Sequence, residues 1–212
     1  MKKTISALGA TLLLCLASQA SASLITPVSV SASSEFAPAI NLINGSGLDT
    51  FGLHDNNENN MWQTFNLNSG TSIGETVEFV LDQNYDLSEA VIWQYNGLNG
   101  FGLPEPDREL DEVAIAVSSS LGGAFNPIGT INLAPAFDQT SSAGEPAQLF
   151  DISGANNVRR VQFTINSVQG GIDDGTAGLS EVRFNGTPTI PEPNPAAGLL
   201  LGLAAVGYWL RR

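Results

Sequence analysis

The sequence predicts an all-β protein: an eight-stranded antiparallel jelly-roll sandwich, framed by a leader at one end and a short apolar tail at the other. Three observations predict it. Short β-branched or aromatic runs are punctuated by Gly, Asn, Ser, Thr and Pro. No segment of the central region sustains a helical period, and three runs alternate faces as a half-buried strand must.

The clearest alternation is Val77-Glu78-Phe79-Val80-Leu81, then Val113-Ala114-Ile115-Ala116-Val117, then Val161-Gln162-Phe163-Thr164-Ile165. Each places Val, Phe, Ile or Leu on one face. The other expected strands are Val28 to Ala32, Ala90 to Tyr95, Gly129 to Leu133, Ala147 to Ile152 and Glu181 to Phe184. The linkers are too short for crossover helices, so two stacked antiparallel sheets are the simplest closed solution. Long loops are expected at Asn44 to Met61, Asn96 to Asp111 and Ala134 to Glu145, and such loops on a β scaffold are where binding concentrates.

At the N-terminus, Met1-Lys2-Lys3, an apolar run from Ile5 to Ala17 and Ser18-Gln19-Ala20-Ser21-Ala22 form a signal peptide, with cleavage after Ala22. Cys15 follows Leu12-Leu13-Leu14 inside the apolar run, which does not suit lipidation. Cleavage removes this cysteine, the only one in the chain, leaving no disulfide and no thiolate for zinc or nucleophilic chemistry. The expected organisation is therefore leader 1–22, one β domain 23–187 and tail 188–212.

The whole chain has 21 acidic and 8 basic residues. Setting aside Glu192 and then Lys2, Lys3, Arg211 and Arg212 leaves the domain 20 acidic residues against 4 basic ones, a net charge of −16. The four are Arg108, Arg159, Arg160 and Arg183. Phosphate backbones are held largely by Lys and Arg, so nucleic acid is excluded as a partner. The balance suits an exported, non-sticky surface, divalent cations or neutral polysaccharide.

In the tail, Pro191-Glu192-Pro193 precedes an apolar stretch from Ala196 to Leu210 and the closing Arg211-Arg212. About 15 residues fall short of the roughly 20 of a comfortable span, but a thinned bilayer accommodates them. The terminal arginines set an orientation with the β domain outside. These features resemble the PEP-CTERM sorting signal of Gram-negative bacteria. That resemblance implies recognition by an exosortase after signal peptidase has acted, at least transient anchoring through a membrane helix, and a final place at the cell surface or in extracellular matrix. An ordinary C-terminal anchor is the alternative.

Ser31-Ala32-Ser33-Ser34-Glu35-Phe36, Pro38-Ala39-Ile40-Asn41-Leu42-Ile43-Asn44-Gly45 and Met61-Trp62 resemble the opening of a discoidin domain, the coagulation-factor type C domain. Val158-Arg159-Arg160-Val161-Gln162-Phe163 and Gly178-Leu179-Ser180-Glu181-Val182-Arg183-Phe184 resemble its last two strands. The resemblance implies a galactose-binding-like jelly roll that binds glycan, lipid or protein and is not an enzyme. It also implies a calcium site at Asn44 and Glu181, with loop carbonyls from about Leu42 to Thr50. Asn44 stands where the family has an aspartate, so the site needs Asp49 to compensate, or Asn44-Gly45 is only a tight turn. Asp55-Asn56-Asn57-Glu58-Asn59-Asn60 opens like an EF-hand loop but lacks glycine at position six and glutamate at position twelve.

A sugar site needs an aromatic face for apolar ring carbons and fixed polar groups for hydroxyls. Trp62, Trp93, Phe101, His54, Tyr95, Asn96 and Arg108 are available, with Trp62 and Trp93 suited to the core. The ligand candidates are His54, Tyr95, Asn96 and Arg108. With one histidine and no Gly-x-Ser-x-Gly elbow, the common nucleophile and zinc arrangements are missing. The expectation is a non-catalytic module holding extracellular polysaccharide. Its rivals are an acidic matrix protein bridged by calcium and a secreted glycoside-processing enzyme using a carboxylate pair.

Overall fold

The computed structural model describes residues 21–65, 70–98, 101–137, 144–171 and 175–189. The expected leader up to residue 20 and the tail from residue 190, with Pro191, Glu192, Pro193, Arg211 and Arg212, lie outside them. Among the described residues no helix is long and apolar enough to cross a membrane.

The described residues form nine strands, paired with one another antiparallel: β1 (Ser23–Ile25), β2 (Ser29–Ala32), β3 (Trp62–Gln63), β4 (Thr76–Gln94), β5 (Glu112–Ser118), β6 (Asn126–Asn132), β7 (Gln148–Asp151), β8 (Val158–Ile165) and β9 (Gly178–Pro188). One layer runs β2, first half of β4, β8, β5, β6; the other runs β7, second half of β4, β9, with β1 and β3 along the far side of β9.

The sequence predicts eight strands, and the described residues form nine. Val77 to Leu81 and Ala90 to Tyr95 were read as separate strands, but both belong to the continuous β4, while β1 and β3 are additional. Asp82-Gln83-Asn84 looks like turn punctuation. It stays extended because its side chains find partners across the bend: Asn84 Nδ2 donates to Ser119 O at 2.9 Å and Asn157 O at 3.1 Å, and Tyr85 Oη donates to Asp82 Oδ1 at 2.8 Å. Pairing with β8 shifts register between Val80 and Tyr85, where the strand leaves one layer for the other. At three and two residues, β1 and β3 are too short to show a period.

The three alternating runs bury the faces the pattern selects: Val77, Phe79, Leu81, Val113, Ile115, Val117, Val161, Phe163 and Ile165 are all in the core. Phe79 of β4 meets Phe163 of β8 edge-on at 5.2 Å, and both meet Phe184 of β9 from the opposite layer at 5.8 and 6.3 Å. Edge-to-face packing of this kind adds to area burial and fixes ring geometry. Trp62 is fully buried and donates from Nε1 to Ser34 O at 3.3 Å, while Trp93 donates to Gly52 O at 2.8 Å. Both indoles are thus core residues that tie loops to the sandwich.

Phe184→Ala should cost about 3–5 kcal/mol of stability, because it removes the ring that joins the layers and leaves a cavity beside Phe79 and Phe163. Urea unfolding followed by tryptophan fluorescence checks this, and a loss under about 1 kcal/mol would contradict the assignment of the core.

Candidate binding cleft at the loop end

The three long loops meet and tie to one another. His54 and Glu145 exchange backbone hydrogen bonds at 2.9 and 2.7 Å, and Leu98 N donates to Asn56 O at 3.2 Å. Two buried carboxylates complete the junction: Glu109 accepts from Ala136 N at 2.8 Å, and Glu145 accepts from Phe137 N at 2.7 Å. At their described residues the loops are therefore tied to one another rather than being loose connections.

A cleft of about 250 Å³ opens here, lined by Phe36, Gln63, Phe65, Arg108 and Thr176. The Ser34 hydroxyl accepts from Phe65 N at 2.8 Å and donates to Phe65 O at 2.9 Å, while Phe36 N donates to Gln63 O at 2.8 Å. These bonds clip the segment after β2 against the end of β3. The rings of Phe36 and Phe65 consequently stack, with centroids 5.5 Å apart and planes 20° from parallel. They remain 63% and 48% exposed, an apolar platform presented to solvent.

Opposite the platform, Arg108 Nη1 lies 2.6 Å from Glu105 Oε2 and donates to Gln63 Oε1 at 2.9 Å. A guanidinium only donates, so the oxygen of Gln63 must face it. The Gln63 amide nitrogen then has no protein partner among the described residues, although Gln63 is buried and lines the cleft. Tyr95 Oη donates to Glu105 Oε2 at 3.1 Å. Burial raises the pKa of Tyr95, so it remains a donor, and burial also pushes Glu105 up while Arg108 pulls it down.

No protein-family profile matches the chain, and no curated protein matches its sequence. Solved structures do resemble it. The family 32 carbohydrate-binding module of NanJ from C. perfringens, solved with galactose, aligns at 15% identity over 74% of this chain and 92% of that one, with a TM-score of 0.51. A third family 32 module, from a family 31 glycoside hydrolase of Clostridium perfringens, aligns at 17% identity over 77% and 91%, with a TM-score of 0.52. An F5/8 type C domain of a Bacteroides fragilis protein aligns at 14% identity over 79% and 98%, with a TM-score of 0.50. The chain shares the jelly-roll fold of these domains. At these identities the likeness establishes architecture, and the discoidin-like ordering of motifs agrees with it.

Of the four ligand candidates, Arg108 lines the cleft and Tyr95 stands behind it, positioning Glu105. His54 and Asn96 do not reach it. Asn96 is buried, donating to His54 O at 3.4 Å and accepting from Ser180 Oγ at 3.3 Å. His54 is buried with Nδ1 2.9 Å from Asp55 O and with Nε2 lacking a partner among the described residues. Gly47, at φ +86°, packs on the imidazole so closely that a Cβ there would fall 2.6 Å from Cε1. Phe36, Gln63, Phe65 and Thr176 were missed by sequence reasoning, because phenylalanine ordinarily reads as core and a strand-end glutamine carries no signal.

The side chains expected to hold calcium are already engaged with protein partners. Glu181 is buried and spends Oε1 on Arg183 Nε at 3.1 Å and Oε2 on Gly45 N at 3.2 Å. Asn44 Oδ1 accepts from Ser46 N at 2.7 Å, and Asp49 Oδ1 accepts from Phe51 N and Leu53 N. A dication beside Glu181 would meet the Arg183 guanidinium, which already supplies the positive charge. No group of three His, Cys, Asp or Glu among the described residues is placed to hold a metal. The EF-hand-like stretch instead forms successive side-chain turns, with Asp55 accepting from Asn57 N and Asn57 from Asn59 N.

Burial raises Glu109, Glu145 and Glu181 each to about 7, whereas burial lowers His54. A carboxyl whose folded pKa lies above its unfolded value contributes stability that is complete below pH 4.5 and is lost as pH rises through about 7. His54 works the other way, losing stability below pH 6.5. Three glutamates outweigh one histidine, so the melting temperature should fall by roughly 5 °C between pH 5.5 and pH 8. Glu145→Gln keeps an acceptor for Phe137 N and should recover part of that loss at pH 8 while leaving pH 5 unchanged. Differential scanning calorimetry at the two pH values reads both, and equal effects at each would contradict a buried protonated carboxyl.

Proposed function

We propose that the domain is a non-catalytic carbohydrate-binding module, exported by a Gram-negative bacterium, that holds extracellular polysaccharide at the cell surface or in secreted matrix. The observation that carries this reading is the exposed Phe36–Phe65 stack facing Arg108 and the open amide of Gln63. Apolar sugar faces pack on aromatic rings, and hydroxyls need fixed donors and acceptors. The Phe rings supply the first. The Gln63 Nε2 amide, Arg108 and Thr176 supply the second. Sugar binding in domains of this fold, such as the galactose-bound module and the fucolectin of striped bass serum, agrees with the reading.

A shallow cleft of this volume suits one or two sugar units, so single-site affinity is weak and retention comes from many copies on one polymer. Export is supported by the leader pattern and by β1 starting directly after Ala22, and sorting by the Pro191-Glu192-Pro193 tail ending in Arg211-Arg212. Signal peptidase and an exosortase are the processing partners this implies. Glycosidase chemistry has no comparable support. Glu109 and Glu145, though raised to about 7, each hold a backbone N–H of the 134–137 segment.

Phe36→Ala with Phe65→Ala should weaken binding to a responsive glycan at least tenfold, about 1.4 kcal/mol, with little change in melting temperature because both rings are largely exposed. A glycan array followed by calorimetric titration measures this, and unchanged affinity in the double variant would sink the reading. For the tail, mass spectrometry of the mature protein should find a C-terminus near Pro193; an intact Arg212 would mean a permanent anchor.

A further inference from the structure

Resting on the carbohydrate reading, we infer that the cleft selects neutral saccharides and rejects uronates and other anionic sugars. An arginine in a sugar cleft invites the opposite assignment, since a guanidinium matches a carboxylate in shape and charge. Here that match is already used. Arg108 lies 2.6 Å from Glu105 Oε2, and Tyr95 holds the same oxygen at 3.1 Å from behind. The guanidinium therefore works as a neutralised donor rather than as a free cation.

The surroundings tip the balance further. Glu58 and Asp107 both act electrostatically on Glu105, so one guanidinium stands among three carboxylates. The other arginines offer no relief: Arg160 pairs with Glu78 at 2.9 Å, Arg183 pairs with Glu181 at 3.1 Å, and Arg159 lies on β8 near Tyr85. An incoming carboxylate thus meets a locally negative site on a domain of net −16. Repulsion of this kind acts over about 8 Å at physiological ionic strength and is weakened by salt. A neutral hexose meets none of it, because its hydroxyls can bond to Arg108 and to the Gln63 amide without adding charge.

The test compares matched pairs, galactose with galacturonate and glucose with glucuronate, displayed on one array and titrated against the full chain. The neutral member should bind at least tenfold more tightly. Raising sodium chloride to 0.5 M should shrink that preference at least threefold. Glu105→Gln, and separately Glu58→Gln with Asp107→Asn, should also shrink it at least threefold by strengthening uronate binding. The double variant leaves the Arg108–Glu105 pair in place, so it decides the matter even when Glu105→Gln fails to fold. Equal or tighter binding of the uronates, or a preference insensitive to both salt and substitution, would overturn the selectivity while leaving the carbohydrate reading standing. Binding of neither member of any pair, with the chain folded by circular dichroism, would overturn both.

Discussion

The sandwich depends on β4 being unbroken through its bend. Its first half pairs with β2 and β8, its second with β7 and β9, so one strand carries the hydrogen-bond ladder from one layer into the other. Side chains alternate along it, so Phe79 and Leu81 face inward before the bend and Leu87 just after it, and a register shift between Leu87 and Glu89 then turns Ala90 and Ile92 inward. The Phe79, Phe163 and Phe184 cluster then closes the gap. With no disulfide in the described residues and few charges inside, this ladder and its aromatic core are what hold the loops in position.

At the loop end the chain solves a different problem, which is how to order irregular backbone without helix or sheet. It uses buried carboxylates as receptors for orphan N–H groups: Glu109 for Ala136, Glu145 for Phe137 and Glu181 for Gly45. Unpaired buried N–H groups would be costly, and a carboxylate satisfies them with stronger bonds than a neutral acceptor. The cost is desolvation of three acids, which appears as pKa values near neutrality. Glu181 has a cation beside it, Arg183, so the chain spends one of its four domain arginines there and another, Arg108, at the cleft.

Much of this was legible in the sequence, for physical reasons that differ by element. Alternation over five residues reports burial directly, so Phe79, Ile115 and Phe163 were placed correctly from pattern alone. The bend in β4 was not legible, because Asp82-Gln83-Asn84 has turn-forming side chains whose partners come from residues about 35 and 73 positions away. His54 read as a loop residue and is one, yet the loop folds inward over it, and only Gly47 at positive φ makes room for the ring. Arg108, which lines the cleft, was singled out by residue type. The phenylalanines beside it were not, since their exposure follows from the Ser34 clip rather than from their own chemistry.

That contrast explains why the cleft is built as it is. A flexible loop carrying Phe36 would bury the ring against the nearest apolar surface, which would erase the platform. Ser34 prevents this by holding both backbone groups of Phe65, and Trp62 reinforces it by bonding Ser34 O from the core. The exposed apolar surface is thus maintained by hydrogen bonds that reach back to β3. Its geometry is set by the fold itself, so a ligand seated there would lose little ordering entropy on binding.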